Sequence, residues 1–172
     1  MPAEPGDIRF RPMERSDLAR VATFLERPHV SRWVGNIDRE LHEIEDHILG
    51  RTSVAPYIIE LDGREIGYIQ SYDIHAENAH PYNDQPAGTV GMDLYIGEVD
   101  CVGRGLGTVI VGDFVGRLFE AGAPRVVIDP HPDNGRAIRA YEKAGFRPLG
   151  PRNSEYGPAL LMAQDRQQQR PA

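Results

Sequence analysis

Ile8-Arg-Phe10-Arg alternates apolar and polar residues, the period of a half-buried strand. Ser16 or Asp17 then suits a helix N-cap. Leu18, Val21, Ala22 and Leu25 follow three and four residues apart, predicting a first helix that Pro28 ends. A second helix is predicted from about Asp38 to Leu49, with Leu41, Ile44 and Ile48 on one face and charges elsewhere. Two β-branched and aromatic runs, Pro56 to Leu61 and Arg64 to Tyr72, flank Asp62-Gly63 and read as a tight hairpin. Residues 73–87, rich in Asn, Pro, Gly and acids, read as a long surface loop. A strand follows from about Thr89 to Ile96. The wide apolar face of Leu106, Val109, Ile110, Phe114, Val115, Leu118 and Phe119 predicts a helix ending at Gly122 and Pro124. Arg125 to Asp129 reads as a short buried strand, Asn134 to Ala144 as a helix closed by Gly145, Phe146 as the start of a return strand, and Pro158 to Ala163 as the last strand.

These elements imply a mixed α/β fold with strands outnumbering helices. At 172 residues and 40% hydrophobic content, one domain over 1–164 is expected, followed by a polar tail at 165–172. No run of about 18 apolar residues occurs and the N-terminus has no basic or apolar stretch, so a soluble cytoplasmic protein without a membrane partner is expected. The lone Cys101 cannot close an internal disulfide. With no evident histidine partner it reads as an incidental small residue rather than a nucleophile. Acidic residues outnumber basic ones by 26 to 19, a net charge of −7, which argues against a nucleic-acid surface and suits a cationic small molecule. His42 and His47 lie about 500° apart on a helix, so their rings diverge by about 140° and do not make a metal motif. No metal is expected. Monomer and homodimer both remain open.

Val102-Gly103-Arg104-Gly105-Leu106-Gly107-Thr108 is a glycine turn opening an apolar helix, where free N–H groups and the helix dipole favour an anion. A Walker A loop is excluded because Gly107 to Gly112 is followed by Asp113 and not by Lys. A dinucleotide fingerprint is excluded because neither register from Gly103 or Gly105 supplies its last glycine. Downstream stands Asn134-x-x-Ala137-x-x-x-Tyr141-x-Lys143-x-Gly145-Phe146. The two segments together, in this order and spacing, resemble the Gcn5-related N-acetyltransferase (GNAT) family over nearly the whole chain.

Within that family the chain is most similar to the aminoglycoside 6′-N-acetyltransferases. The likeness is carried by Pro56-Tyr57, Gly67-Tyr68-Ile-Gln70-Ser71-Tyr72, Gly91-Met-Asp93, Gly103 to Thr108, Asp129-Pro130-His-Pro132-Asp-Asn134 and Arg139 to Phe146. It implies a twisted, largely antiparallel sheet of six or seven strands flanked by about four helices, with acetyl-CoA wedged between two splayed central strands. It also implies that Val102 to Thr108 hold the pyrophosphate, that Asn134, Ala137, Tyr141 and Lys143 line the same cosubstrate, and that an N–H from Leu94, Tyr95 or Ile96 polarises the thioester carbonyl. The family often has Gln or Arg where Val102 stands, but the pyrophosphate contact there is mainly through backbone N–H.

The implied reaction is direct acetyl transfer to a primary amine, without a covalent enzyme intermediate. Asp93 is the expected holder of the ammonium and acceptor of its proton. Tyr141 is the expected donor to the leaving thiolate. A phenol of pKa ~10 giving its proton to a thiolate of pKa ~8.5 runs uphill by about 2 kcal/mol, so a hydrogen bond to the developing charge is its larger role. An acidic, partly aromatic acceptor site is expected from Trp33, Tyr72, Asp73, Glu77, Asp93 and Asp129. Each also fits a plainer role: Trp33 as core, Asp129 as a turn residue before Pro130, the loop acids as solvated charge. Other acceptors stay open, namely a polyamine, a siderophore hydroxylamine or a protein N-terminus, as does a non-catalytic acyl-CoA-binding module.

Overall fold

Asp62 and Gly63 both adopt left-handed backbone angles, φ 51° and 81°, the geometry of the hairpin turn that Asp-Gly favours. They join β2 (Ala55–Leu61) to β3 (Arg64–Asp73), paired antiparallel with a register shift between Ile59 and Glu60. The computed structural model describes residues 6–76 and 80–167. Its strands are completed by β1 (Ile8–Pro12), β4 (Val90–Ile96), β5 (Arg125–Ile128), β6 (Arg147–Ser154) and β7 (Gly157–Asp165). Its helices are α1 (Leu18–Glu26), α2 (Pro28–Ser31), α3 (Ile37–Ile48), α4 (Leu106–Glu120) and α5 (Gly135–Lys143). The strands form one mixed seven-stranded sheet, within the expected six or seven, in the order β1-β2-β3-β4-β5-β7-β6. The β1–β2, β2–β3, β5–β7 and β6–β7 pairs are antiparallel, and β4–β5 is parallel.

The chain divides into two compact units. The first comprises Met1–Ser71 with Asp93–Leu106. Its core joins Val21, Phe24 and Leu25 of α1 to Ile44 of α3, Ile58 of β2 and Tyr68 of β3. Ile37, Leu41 and Ile48 of α3 pack against this cluster, as does Tyr95 of β4. Asn36 caps α3 by accepting from the Arg39 N–H at 2.9 Å. Asp17 stands at the α1 N-cap but does not cap that helix. Its carboxylate instead takes the Glu14 N–H at 2.8 Å and both Arg11 guanidinium nitrogens, at 2.9 and 3.0 Å. Pro28 also differs from expectation. Besides excluding helical backbone at Arg27, it opens the one-turn α2 from its first position, where its missing N–H loses no bond.

The second unit comprises Tyr72–Met92 with Gly107–Ala172. Residues 73–87 do not form the plain surface loop read from composition. Ile74 and Tyr82 are fully buried with Val127, Leu161 and Ala163, so the loop contributes core. β7 runs through Asp165, past the expected Ala163, because the Asp165 carboxylate binds Arg125 at 2.6 Å and Arg147 at 2.9 Å. Asn134 caps α5, and Gly145 ends it at φ 110°.

Candidate active site

In the first unit, Asp93 lies on β4 and its Oδ2 accepts a hydrogen bond from Gln70 Nε2 of β3 at 2.9 Å. Gln70 Oε1 accepts in turn from the Tyr68 hydroxyl at 2.6 Å. The relay orients the amide and, through it, the carboxylate. Tyr68 stacks on Tyr95 with ring centroids 5.2 Å apart. β3 comes this near β4 because residue 67 is glycine: a Cβ there would run into the Tyr95 carbonyl. The Ile96 carbonyl lies 2.9 Å from His29 Nε2. Leu94, Tyr95 and Ile96, the expected carbonyl-polarising stretch, therefore lie on a strand segment anchored from two sides.

Sequence reasoning missed Glu40. Counted at 100° per residue, it lies about 60° from Ile37 on α3, beside the stripe that packs, as Tyr95 does, on the core cluster containing Tyr68. Burial, then the charges of Asp93 and Glu43, push its carboxyl up to about 7. Burial first, and the Glu40 charge next, hold the Tyr68 and Tyr95 hydroxyls protonated, well above the ordinary tyrosine value. The Tyr95 hydroxyl is buried and has no hydrogen-bond partner among the described residues. The available signal was a carboxylate within an apolar helical period.

The glycine turn belongs to this unit as far as Leu106. Gly103 and Gly105 hold φ at 79° and 77°, a backbone that L side chains avoid, and nothing lies within 4 Å of where their Cβ atoms would be. The conformation, rather than crowding, requires glycine. Gly103, Arg104 and Gly105 are exposed ahead of the 15-residue α4, with Val102 half-buried. Exposed amides before a long helix suit a pyrophosphate. Neighbouring Cys101 is buried, and burial with the Asp100 charge raises its thiol above the ordinary value, against a nucleophile. Trp33 is half-buried, with the Arg32 guanidinium 4.7 Å above its ring.

In the second unit the Thr108 hydroxyl donates to the Ala140 carbonyl at 3.3 Å, tying the start of α4 to α5. Asn134 Oδ1 accepts from the Ala137 N–H at 3.3 Å, so both residues serve the α5 cap. Tyr141 is half-buried on α5, its ring centroid 6.3 Å from that of Phe146, and Lys143 is exposed in the last turn. Asp129 Oδ2 accepts from the Tyr82 hydroxyl at 2.6 Å. Tyr82 continues through His80 to Tyr72, with centroid spacings of 5.3 and 5.7 Å. Asp129 and Tyr72 are thus brought into one row. Asp73 serves a turn, accepting the His75 N–H at 2.9 Å. Glu77 lies outside the described residues. Among the described residues, no group of three or more His, Cys, Asp or Glu is placed to hold a metal ion, and no helix is long and apolar enough to cross a membrane.

Asp93 on a central strand, the glycine turn before α4 and Tyr141 on the capped α5 are the features that the sequence resemblance expects of an acyl-CoA-dependent transferase. The family model for the acetyltransferase (GNAT) domain matches residues 14–153, and the chain belongs to that family. It is similar to the aminoglycoside N(6′)-acetyltransferase type 1 of Klebsiella pneumoniae, 35% identical over 168 residues, covering 93% of this chain and 84% of that one. It is also similar to the lysine N-acyltransferase MbtK of Mycolicibacterium paratuberculosis, 28% identical over 161 residues, covering 87% and 69%. Among solved structures it matches aminoglycoside acetyltransferase AAC(6′)-Ib in complex with coenzyme A and kanamycin. There the TM-score is 0.83 and the identity 34%, over 93% of this chain and 95% of that one.

Proposed function

We propose that the protein transfers acetyl from acetyl-CoA to the 6′-amine of an aminoglycoside. The observation that carries this reading is the extent of the likeness: the Klebsiella pneumoniae enzyme named for that reaction matches 93% of the chain. The glycine turn supports the donor, since its left-handed Gly103 and Gly105 present backbone N–H groups without side chains in the way. Both units lie largely within the family match, so the activity is assigned to residues 1–164 together. Because the donor is an intracellular metabolite, the reading places the protein in the cytoplasm.

Bound acetyl-CoA supplies an acyl carbon activated as a thioester, and its C–S bond breaks as the new C–N bond forms. An ammonium of lysine-like pKa ~10.4 costs about 4.6 kcal/mol to deprotonate at pH 7. Asp93, oriented by Gln70, holds that ammonium and takes its proton directly or through water. Tyr141 donates to the sulfur as it becomes a thiolate. Val102 to Thr108 hold the pyrophosphate, and Asn134, Ala137 and Lys143 belong to the helix that carries Tyr141.

Thiol release measured with kanamycin, and with kanamycin lacking its 6′-amine, tests the reading. Release is expected only from the first, and equal rates reject the 6′ assignment. Asp93→Asn is expected to lower kcat by at least about 100-fold while coenzyme A binding, read by calorimetry, is retained. Unchanged turnover across pH would remove Asp93 from the mechanism.

A further inference from the structure

Glu40 occupies a position where a carboxylate contributes nothing to packing. Ile37, Leu41 and Ile48 flank it in the helical period, and all three pack on the core of the first unit. Core-facing carboxylates normally pair with a cation. Among the described residues no arginine, lysine or histidine forms an ion pair with Glu40, and Arg39, beside it on α3, donates to Glu43 at 3.1 Å. The charged and titratable groups near enough to act on it electrostatically are Asp93 and Tyr95 from β4, Tyr68 from β3, and Glu43 and Arg39 from α3. Two carboxylates thus share a half-buried space with one arginine that another acid already engages.

A second observation is independent of the charges. The buried Tyr95 hydroxyl has no partner among the described residues, although its neighbour Tyr68 is bonded to Gln70. An unpaired buried hydroxyl costs about 1–3 kcal/mol, so it marks a place where a polar group belongs. Its oxygen can accept from an N–H. Two carboxylates and one phenol oxygen match the three N–H donors of an alkylammonium.

We propose that Glu40, Asp93 and the Tyr95 hydroxyl form a cradle for an ammonium group of the acceptor, and that Glu40 selects cationic amines by exchanging its own proton for that charge. The inference rests on the reading of the protein as an acetyltransferase of cationic amines. The exchange balances: the protonated carboxyl and the ammonium become an ion pair and one proton passes to solvent. Near pH 7 Glu40 is half protonated in the empty protein, so the release is about half a proton per ligand there. Below that pH affinity falls, because the carboxyl is then almost fully protonated and each binding event must displace a whole proton. Asp93 remains the proton acceptor of the transfer step, and Glu40 acts on binding.

The test is calorimetric titration of kanamycin into the full-length protein at pH 7 in phosphate and in Tris, whose ionisation enthalpies differ. Glu40→Gln is expected to bind at least tenfold more weakly and to release about half a proton less than the wild type. Glu40→Asp should recover most of the affinity. Glu45→Gln, on the same helix but paired at the surface with Arg15, removes at least as much negative charge and should stay within twofold. Affinity within twofold for Glu40→Gln, equal proton release, or an equal loss in Glu45→Gln overturns the proposal. A wild type that binds kanamycin with proton release yet frees no thiol sinks the proposed reaction and leaves the cradle standing. A wild type that does not bind kanamycin sinks both.

Discussion

Replacing Glu40 with Gln should make the protein more stable in alkaline solution. The carboxyl rises from its ordinary value of 4.5 to about 7 because folding buries it beside Asp93 and Glu43. At about 1.4 kcal/mol per tenfold change in proton affinity, that rise corresponds to about 3 kcal/mol. The fold binds this proton more tightly than the unfolded chain does. The stabilising contribution is therefore complete below pH 4.5, declines as pH rises, and is gone above about 7. Glutamine keeps the shape without the charge, so the variant lacks this decline. Urea unfolding of both proteins at pH 4 and pH 8.5 measures it. The stability of Glu40→Gln relative to wild type should increase by up to about 3 kcal/mol between the two pH values. A difference that is the same at both, or that shifts in favour of the wild type as pH rises, would refute the claim that burial and neighbouring anions act on Glu40.

Asp17→Asn should act in the opposite direction, destabilising by about 2–3 kcal/mol at pH 7. Arg11 loses its two-pronged acceptor but keeps Glu65 at 3.0 Å. Arg11 holds the Asp17 carboxyl below its ordinary value, so its contribution is present above 3.8 and lost as pH falls through the folded value; urea titrations at pH 7 and in acid should converge. Gly105→Ala should cost about 1–2 kcal/mol of stability from the left-handed φ, with no clash, and should weaken coenzyme A binding tenfold or more in calorimetry. Wild-type affinity in that variant would show that the turn is not the pyrophosphate site.

The parts of this fold that could be read from the chain are those whose cause is local. Asp62-Gly63 makes its turn because those two residues tolerate positive φ, and α5 begins at Asn134 because its side chain reaches the Ala137 N–H three residues on. The motif residues were legible for the same reason: the glycine turn and the segment from Asn134 to Phe146 around α5 each carry their geometry within 13 residues or fewer. Tyr82 was not legible. Nothing between Pro81 and Asn83 signals that its hydroxyl meets Asp129, 47 residues on, or that its ring completes a core with Leu161. A loop rich in polar residues hides a buried aromatic, because no period of two or 3.6 surrounds it.

Glu40 was hidden in a more informative way. A helical period was visible in α3, and the natural assumption that its charges lie on the wet face hid an acid whose carboxyl burial pushes up to about 7. In a helix selected only for packing, that position would favour Leu or Met, which fill the stripe without a desolvation penalty. Retaining an acid there sets a standing cost of about 3 kcal/mol above neutral pH, by the rise to about 7, against a gain that the empty fold does not contain. The unbonded Tyr95 hydroxyl repeats the pattern on β4. Two adjacent groups that each destabilise the protein alone, on two different elements, are best accounted for together by one positively charged hydrogen-bond donor that enters from outside. The proposed amine cradle is therefore read from where the sequence violates its own helical pattern, whereas the proposed donor site is read from where the glycine turn obeys its motif.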